Sequence, residues 1–240
     1  MFQVILKVSA LVASLYGHSV TVSAPKTLAE RKDKVYRGQL FERPFARNLS
    51  ASVAECLYAV AVVSEVAVIL GATFTSSPLS ETAINTLCPH PPQDLRALQA
   101  IPFTFALGAA LAISGGYIRY WTYRILGNLF TREVSLQPQH KLIRCAPYNI
   151  VRHPSYTGVF MNFAGVAIMH FSAGSWNRGC GIMSTPAVLG VVLWVVNAVF
   201  ALSSLWRRGA IEDEFLRSKF GDEWLRYRDE VPSRYFPGIY

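Results

Sequence analysis

The residues of this chain best suited to chemistry fall in two short blocks. The first is Tyr148-Asn149-Ile150-Val151-Arg152-His153-Pro154-Ser155-Tyr156-Thr157-Gly158, a polar stretch that runs straight into an apolar one. Proline fits the first turn of a helix, where its missing amide leaves nothing unsatisfied, so Pro154 marks a helix start with Arg152 and His153 at its mouth. The second block follows an apolar hairpin. Arg208 and Glu212 stand four residues apart and share one face of a helix, with Asp213 and Glu214 beside them. A helix over residues 211–219 puts Ile211, Phe215 and Leu216 on an apolar side, and Phe220-Gly221 reads as a glycine stop before Trp224, Tyr227 and Val231-Pro232. A cation, an imidazole and carboxylates at a membrane surface can orient a soluble cofactor against a substrate held in lipid.

The elements that must position these blocks are membrane helices. Of 240 residues, 52% are hydrophobic and 16% charged, with a mean hydropathy of +0.28, too apolar for an ordinary soluble domain. The formal charge of +8 sits in loops between apolar runs, which points to membrane topology and not to a nucleic-acid partner. Five spans are expected: residues 2–22, 49–74, 98–117 with an interruption at Pro102, 154–171, and 186–206. Residues 75–96 form a connection on the far side. The expected architecture is therefore all-α and polytopic, with residues 1–118 as N-terminal membrane helices and a basic loop, and 119–240 as the part that carries both blocks.

The first apolar segment also fits a cleaved signal peptide, but charge placement favours a retained span. Basic residues crowd 25–48, 119–153 and 207–240. Five spans put all three on the cytoplasmic side, whereas four leave no orientation that does. Glu55 and Glu65 lie within the second span, where carboxylates are functional candidates by default; the structural alternative is a headgroup position for Glu55 and protonation of Glu65. Trp121, Trp206 and Trp224 are expected in headgroup belts. Cys88 and Cys180 would both face the lumen, where a disulfide is permitted, but free thiols are the reading favoured. No cysteine spacing suggests a metal site.

The pattern Arg152-His153-Pro154-Ser155-Tyr156-x-Gly158, followed by Glu212-Asp213-x-x-Leu216-x-x-x-Phe220-Gly221-x-x-Trp224-x-x-Tyr227-x-x-x-Val231-Pro232, resembles the isoprenylcysteine carboxyl methyltransferases. The resemblance covers roughly residues 119–240. It implies S-adenosylmethionine as methyl donor and, as protein partners, prenylated CaaX-type proteins after proteolysis, whose lipid arm enters from the bilayer. Cofactor contacts would fall on Glu133, His140, Lys141, Leu142, Ile143, Tyr148, Arg152, His153, Pro154, Ser155 and Glu212. Arg208 would hold the substrate carboxylate, with Arg152 and Glu212 completing the catalytic set. Residence in the endoplasmic reticulum membrane with a cytoplasmic active site follows from the same resemblance. Two positions depart from the family pattern: Ala146, next to Pro147, stands in place of a loop glycine, and Asp213 in place of a second glutamate.

Residue chemistry agrees with that reading. A C-terminal carboxylate, with a reference pKa of ~3.5, is ionised at neutral pH and needs no strong base, so the site must align and desolvate it. Arg208 suits that anion through paired hydrogen bonds, and Glu212 suits an ammonium or ribose hydroxyls. Two other readings remain open at this point: phospholipid N-methylation, which would need an acceptor such as His153 near an ammonium headgroup, and a non-enzymatic membrane scaffold anchored by Trp224 and the basic tail.

Overall fold

The computed structural model describes residues 1–23, 44–130 and 141–239. Among them lie eight α-helices and no strand: α1 (Phe2–Val22), α2 (Pro44–Thr73), α3 (Pro78–Leu87), α4 (Phe103–Leu126), α5 (Pro154–His170), α6 (Trp176–Gly179), α7 (Val188–Phe220) and α8 (Asp222–Glu230). Helices α1, α2, α4 and α7 are long and apolar enough to cross a membrane. Helix α5 has 17 residues, ~25 Å at 1.5 Å per residue and so a little short of the bilayer core. Twelve of those residues are buried, which makes α5 the centre of the bundle.

Small residues explain how α5 comes to be enclosed. A Cβ added at Gly108, Gly115, Gly158 or Gly165 would strike backbone atoms of the facing helix, so α4 and α5 approach at backbone distance. Gly116 meets Gly17 of α1 in the same way. Lipid tails are as apolar as leucine, so close backbone packing of this kind is what holds membrane helices together.

Polar side chains inside the bundle find partners across it. Lys7 of α1 is fully buried, pairs with Glu65 of α2 at 3.1 Å, and donates to the carbonyls of Leu98 (2.7 Å) and Gly174 (3.0 Å). The carboxylate at position 65 is thus met by an ion pair across the bundle. Glu55 accepts hydrogen bonds from Ser19 (2.6 Å) and Ser23 (3.1 Å) near the other end of α1. His18 meets the Asn162 carboxamide at 2.7 Å, and Asn162 donates to the Ala112 carbonyl at 2.8 Å, tying α1, α4 and α5 at mid-depth.

Boundaries differ from expectation where proline or charge was misread. Pro102 does not interrupt a span; it caps α4, which runs on to Leu126 and carries Tyr117, Tyr120, Trp121 and Tyr123 on its own last turns. The second span begins at Pro44, several residues early. Residues 75–96 fold partly into α3, capped by the Ser77 side chain with Pro78 in its first turn. Helix α7 continues without a break to Phe220, ~50 Å at 1.5 Å per residue, and ends at Gly221 with φ +52° as the glycine stop predicts. Only about 30 Å of it fits a hydrocarbon core, so the charged turns after Trp206 project beyond the bilayer.

The chain directions place the ends of α1 and α4 and the starts of α2 and α5 at one end of the bundle, together with the projecting part of α7. Described parts of all three basic segments meet there, since Arg47, Arg119 and Arg208 line a common cavity. At the opposite end Cys88 and Cys180 form a disulfide, packed with Val68, Leu98 and Ile182. Trp224, expected in a headgroup belt, is instead buried with Tyr227 and Val231 against Leu142, Leu216 and Phe220. That cluster folds α8 back onto α7 and the loop before α5.

Candidate active site

The site is built where the chain enters α5. The backbone N–H groups of Arg152 and His153 donate to the carbonyls of Ser233 (3.0 Å) and Arg234 (2.9 Å), so the segment after α8 runs alongside the helix mouth. Thr157 reinforces this by donating to the Tyr235 carbonyl at 2.6 Å, and the Tyr235 hydroxyl donates to the Trp206 carbonyl of α7 at 2.7 Å. Two sequence blocks some 50 residues apart are thereby sewn together.

His153 sits between two carboxylates of α7. Its Nε2 is 2.8 Å from Asp213 Oδ1 and its Nδ1 is 3.4 Å from Glu212 Oε2. Burial alone would lower the imidazole pKa, but the two neighbouring carboxylates raise it above its ordinary value. Both nitrogens then donate, as an imidazolium requires. Burial would likewise raise the Glu212 carboxyl; Arg208, His153 and Tyr156 outweigh it and hold the group at about 2. Asp213 is also held below the usual carboxylate range, by His153 and Arg152 against the opposing effect of burial.

Asp213 and Glu212 play different parts. Asp213 is buried and faces inward to the clasp, accepting from Arg152 (Nη2, 3.1 Å), Arg234 (Nε, 2.9 Å) and His153. Arg152 also donates to the carbonyls of Val231 (2.8 Å) and Pro232 (2.5 Å). Glu212 faces a cavity with its carboxylate 22% exposed, accepting from Arg208 Nε at 2.8 Å and from the Tyr156 hydroxyl at 2.6 Å. The Tyr156 ring stacks on His153, with centroids 5.5 Å apart and planes 6° from parallel.

The cavity has a volume of about 250 Å³. Its polar mouth carries Arg119, Arg152, His153, Arg208 and Glu212, and its depth is apolar, lined by Ala54, Val159, Phe163, Ala201 and Leu205 of α2, α5 and α7. Of the residues expected to hold a cofactor, Lys141, Leu142, Ile143, Tyr148, Arg152, His153, Ser155 and Glu212 line it, and so does Arg208. Pro154 serves as the first residue of α5 and is not on the lining. Glu133 and His140 lie outside the described residues. The stretch before α5, which includes a cis Ala146–Pro147 peptide, is held by the Tyr227 hydroxyl donating to the Tyr148 carbonyl at 2.7 Å.

Sequence reading missed Arg119. Its side chain is buried in α4, contacts the Ser155 hydroxyl, and lies over the rings of Tyr123 (4.9 Å) and Phe130 (5.6 Å). Among the described residues its Nε has no hydrogen-bond partner and no carboxylate pairs with its guanidinium, so a buried cation lines the cavity. Such a charge is costly unless an anion joins it. One signal was available: the buried stripe Gly108, Ala112, Gly115 extends by one more helical step onto Arg119.

Known proteins carry the same segment. Residues 108–178 match the isoprenylcysteine carboxyl methyltransferase (ICMT) family model, a span from α4 into α6 that includes Arg119, Lys141–Ile143 and Arg152–Ser155. A probable protein-S-isoprenylcysteine O-methyltransferase of Oryza sativa subsp. indica is 31% identical over 133 residues, 55% of this chain and 60% of the relative. Protein-S-isoprenylcysteine O-methyltransferase B of Arabidopsis thaliana is 29% identical over 128 residues, 52% of this chain and 56% of the relative. The Saccharomyces cerevisiae protein-S-isoprenylcysteine O-methyltransferase is 25% identical over 127 residues, 52% and 46% of the two chains. The matched stretch thus spans about half the length of these relatives. Over that stretch, with a helical membrane bundle and a cavity built by its α4–α5 segment, this chain is similar to the isoprenylcysteine carboxyl methyltransferase family.

Proposed function

We propose that the chain transfers a methyl group from S-adenosylmethionine to the C-terminal carboxylate of a prenylated cysteine. One observation carries this reading: a single cavity has Arg119, Arg152, Arg208 and Glu212 at its mouth and an apolar depth between membrane helices. That is the shape required to hold a charged cofactor, an anionic acceptor and a lipid arm together.

The lining fits the cofactor. Glu212 is an ionised acceptor for an ammonium group, the unpartnered Arg119 Nε suits a carboxylate, and Leu142, Phe130 and Tyr227 offer apolar surface to an adenine ring. When bound, S-adenosylmethionine supplies an electrophilic methyl group. The protein's part is to bind, align and dry. Arg119 and Arg208 neutralise anionic charge at the mouth, Tyr156 and His153 fix the Glu212 carboxylate, and the apolar walls exclude water. The acceptor carboxylate needs no base, and Glu212, held at about 2, is a poor one. Desolvation favours transfer because a sulfonium and a carboxylate lose their charges as the methyl passes.

Arg152 acts in this scheme as a positioning residue, since its guanidinium is engaged by Asp213 and by two carbonyls. The catalytic region is residues 119–240, completed by α1 and α2 through Thr21, Arg47 and Ala54. Arg208 beside the acceptor suits an anion and repels an ammonium, which disfavours phospholipid N-methylation. Partners are CaaX-type proteins trimmed to their prenylcysteine, and the setting is the endoplasmic reticulum membrane with the basic, site-bearing end in the cytoplasm.

The test is methylation by the purified protein, with labelled S-adenosylmethionine, of N-acetyl-S-farnesylcysteine and phosphatidylethanolamine in parallel. Label in a base-labile ester of the first is the expected result. Label in the lipid amine alone overturns the reading.

A further inference from the structure

A second cavity of about 140 Å³ continues the same groove. Along α2, the first cavity ends at Ala54 and the second begins at Leu57; along α5, Phe163 gives way to Val166; along α7, Ala201 gives way to Trp194. Both are walled by the same three helices, one behind the other. What divides them is a pair of rings. Phe163 lines the first cavity and Trp194 the second, with centroids 5.8 Å apart and planes 22° from parallel.

The two rings differ in how they are held. Phe163 is buried and also packs edge-on against His18 at 5.1 Å. Trp194 is half-buried, packs against both apolar clusters on either side of the divide, and its indole N–H makes no hydrogen bond among the described residues. Packing alone keeps that ring in place. Measured along α5, the floor at Phe163 lies eight residues beyond Ser155, about 12 Å below the mouth at ~1.5 Å per residue. That depth is of the order of three isoprene units, and a fourth must go past the rings.

We propose that the Phe163–Trp194 ring pair is a floor that sets isoprenoid chain length: a fifteen-carbon arm ends against it, and a twenty-carbon arm fits only when Trp194 gives way into the second cavity. This rests on the reading of the first cavity as a prenylcysteine site. The second cavity contributes apolar lining for the last unit, from Leu57, Ala61, Val166 and Val191. Trp194 is thus a specificity-determining residue far from the methyl-transfer chemistry.

Two variants test it in the full chain reconstituted in lipid nanodiscs. Trp194→Leu removes the barrier. Gly190→Leu fills the second cavity, since a Cβ at Gly190 meets only a Leu57 methyl at 3.8 Å and has room beyond it. Binding and methylation of N-acetyl-S-farnesylcysteine and N-acetyl-S-geranylgeranylcysteine are measured side by side. The expected result is that Trp194→Leu shifts the affinity ratio toward the longer arm by about tenfold or more, a part of what full burial of five further carbons would give, and that adding Gly190→Leu reverses the shift. An unchanged ratio in Trp194→Leu with farnesyl binding intact, or an equal loss of both ligands in Gly190→Leu, overturns the floor. If the binding ratio responds as stated but neither compound is methylated, the floor stands and the methyl-transfer reading falls.

Discussion

His153 Nε2 lies 2.8 Å from Asp213 Oδ1, joining the mouth of α5 to the projecting part of α7. Through this contact the protonation of one imidazole adds to the backbone and Arg152 contacts that hold the two sequence blocks together. Because the folded His153 pKa is raised, its stabilisation is complete below the ordinary imidazole value of 6.5 and fades as pH rises through the raised folded value. Glu212 behaves in the opposite sense: its contribution is complete above 4.5 and fades as pH falls toward about 2. Thermal unfolding followed against pH should therefore lose stability on both flanks. His153→Gln should flatten the alkaline flank and also weaken the acidic one, because Glu212 and Asp213 lose a cation that helps hold their carboxyls low; an alkaline flank identical to wild type would refute the imidazolium assignment.

Asp213 accepts from Arg152, Arg234 and His153 at once. Asp213→Asn leaves those cations facing one another without their counter-charge, and breaking a buried pair in this way costs about 3–5 kcal/mol. The expected outcome is a large fall in melting temperature with a matching loss of activity. Full activity at wild-type stability would show that the clasp is dispensable.

At the cavity mouth, Arg119 and Glu212 are assigned to binding and alignment. Arg119→Leu and Glu212→Gln should each lower kcat/KM by about 10² or more, the scale on which a lost charge-assisted contact shows in turnover. Arg208→Ala should remove most ester formation while retaining cofactor binding, measured by calorimetry with S-adenosylmethionine. Unchanged turnover in Arg208→Ala would exclude it from holding the acceptor carboxylate.

Tyr156 supports Glu212 through one hydrogen bond and a stacked ring. Tyr156→Phe keeps the ring and loses about 1 kcal/mol of anchoring, which corresponds to a fall of less than tenfold in kcat/KM. Tyr156→Ala should cost far more, because the stack on His153 goes as well. Equal effects of the two variants would deny the ring its part.

Within the membrane, Lys7 and Glu65 form a fully buried pair. Lys7→Met or Glu65→Leu alone strands the partner charge and should destabilise the protein by about 3–5 kcal/mol, whereas the double variant should recover most of that loss. Reversible unfolding in mixed micelles gives the cycle. Additive single effects would mean that the two groups act independently.

Much of the site was legible in the order of residue types. Pro154 fixed a helix start, Gly221 a helix stop, and the four-residue spacing of Arg208 and Glu212 a shared helical face, because backbone geometry constrains all three locally. The placement of basic segments pointed to the end of the bundle where Arg47, Arg119 and Arg208 meet, since charge is excluded from lipid wherever the chain folds; of the five expected spans, α1, α2, α4 and α7 are long and apolar enough to cross a membrane and α5 is shorter. The bundle decided the rest, through contacts between residues far apart in the chain. Lys7 as the partner of Glu65, the disulfide between Cys88 and Cys180, and Arg119 in the cavity all depend on which helix faces which. So does the division of labour between neighbours: Glu212 and Asp213 are alike in sequence, and only the ~100° turn between them on α7 sends one carboxylate to the cavity and the other to the clasp.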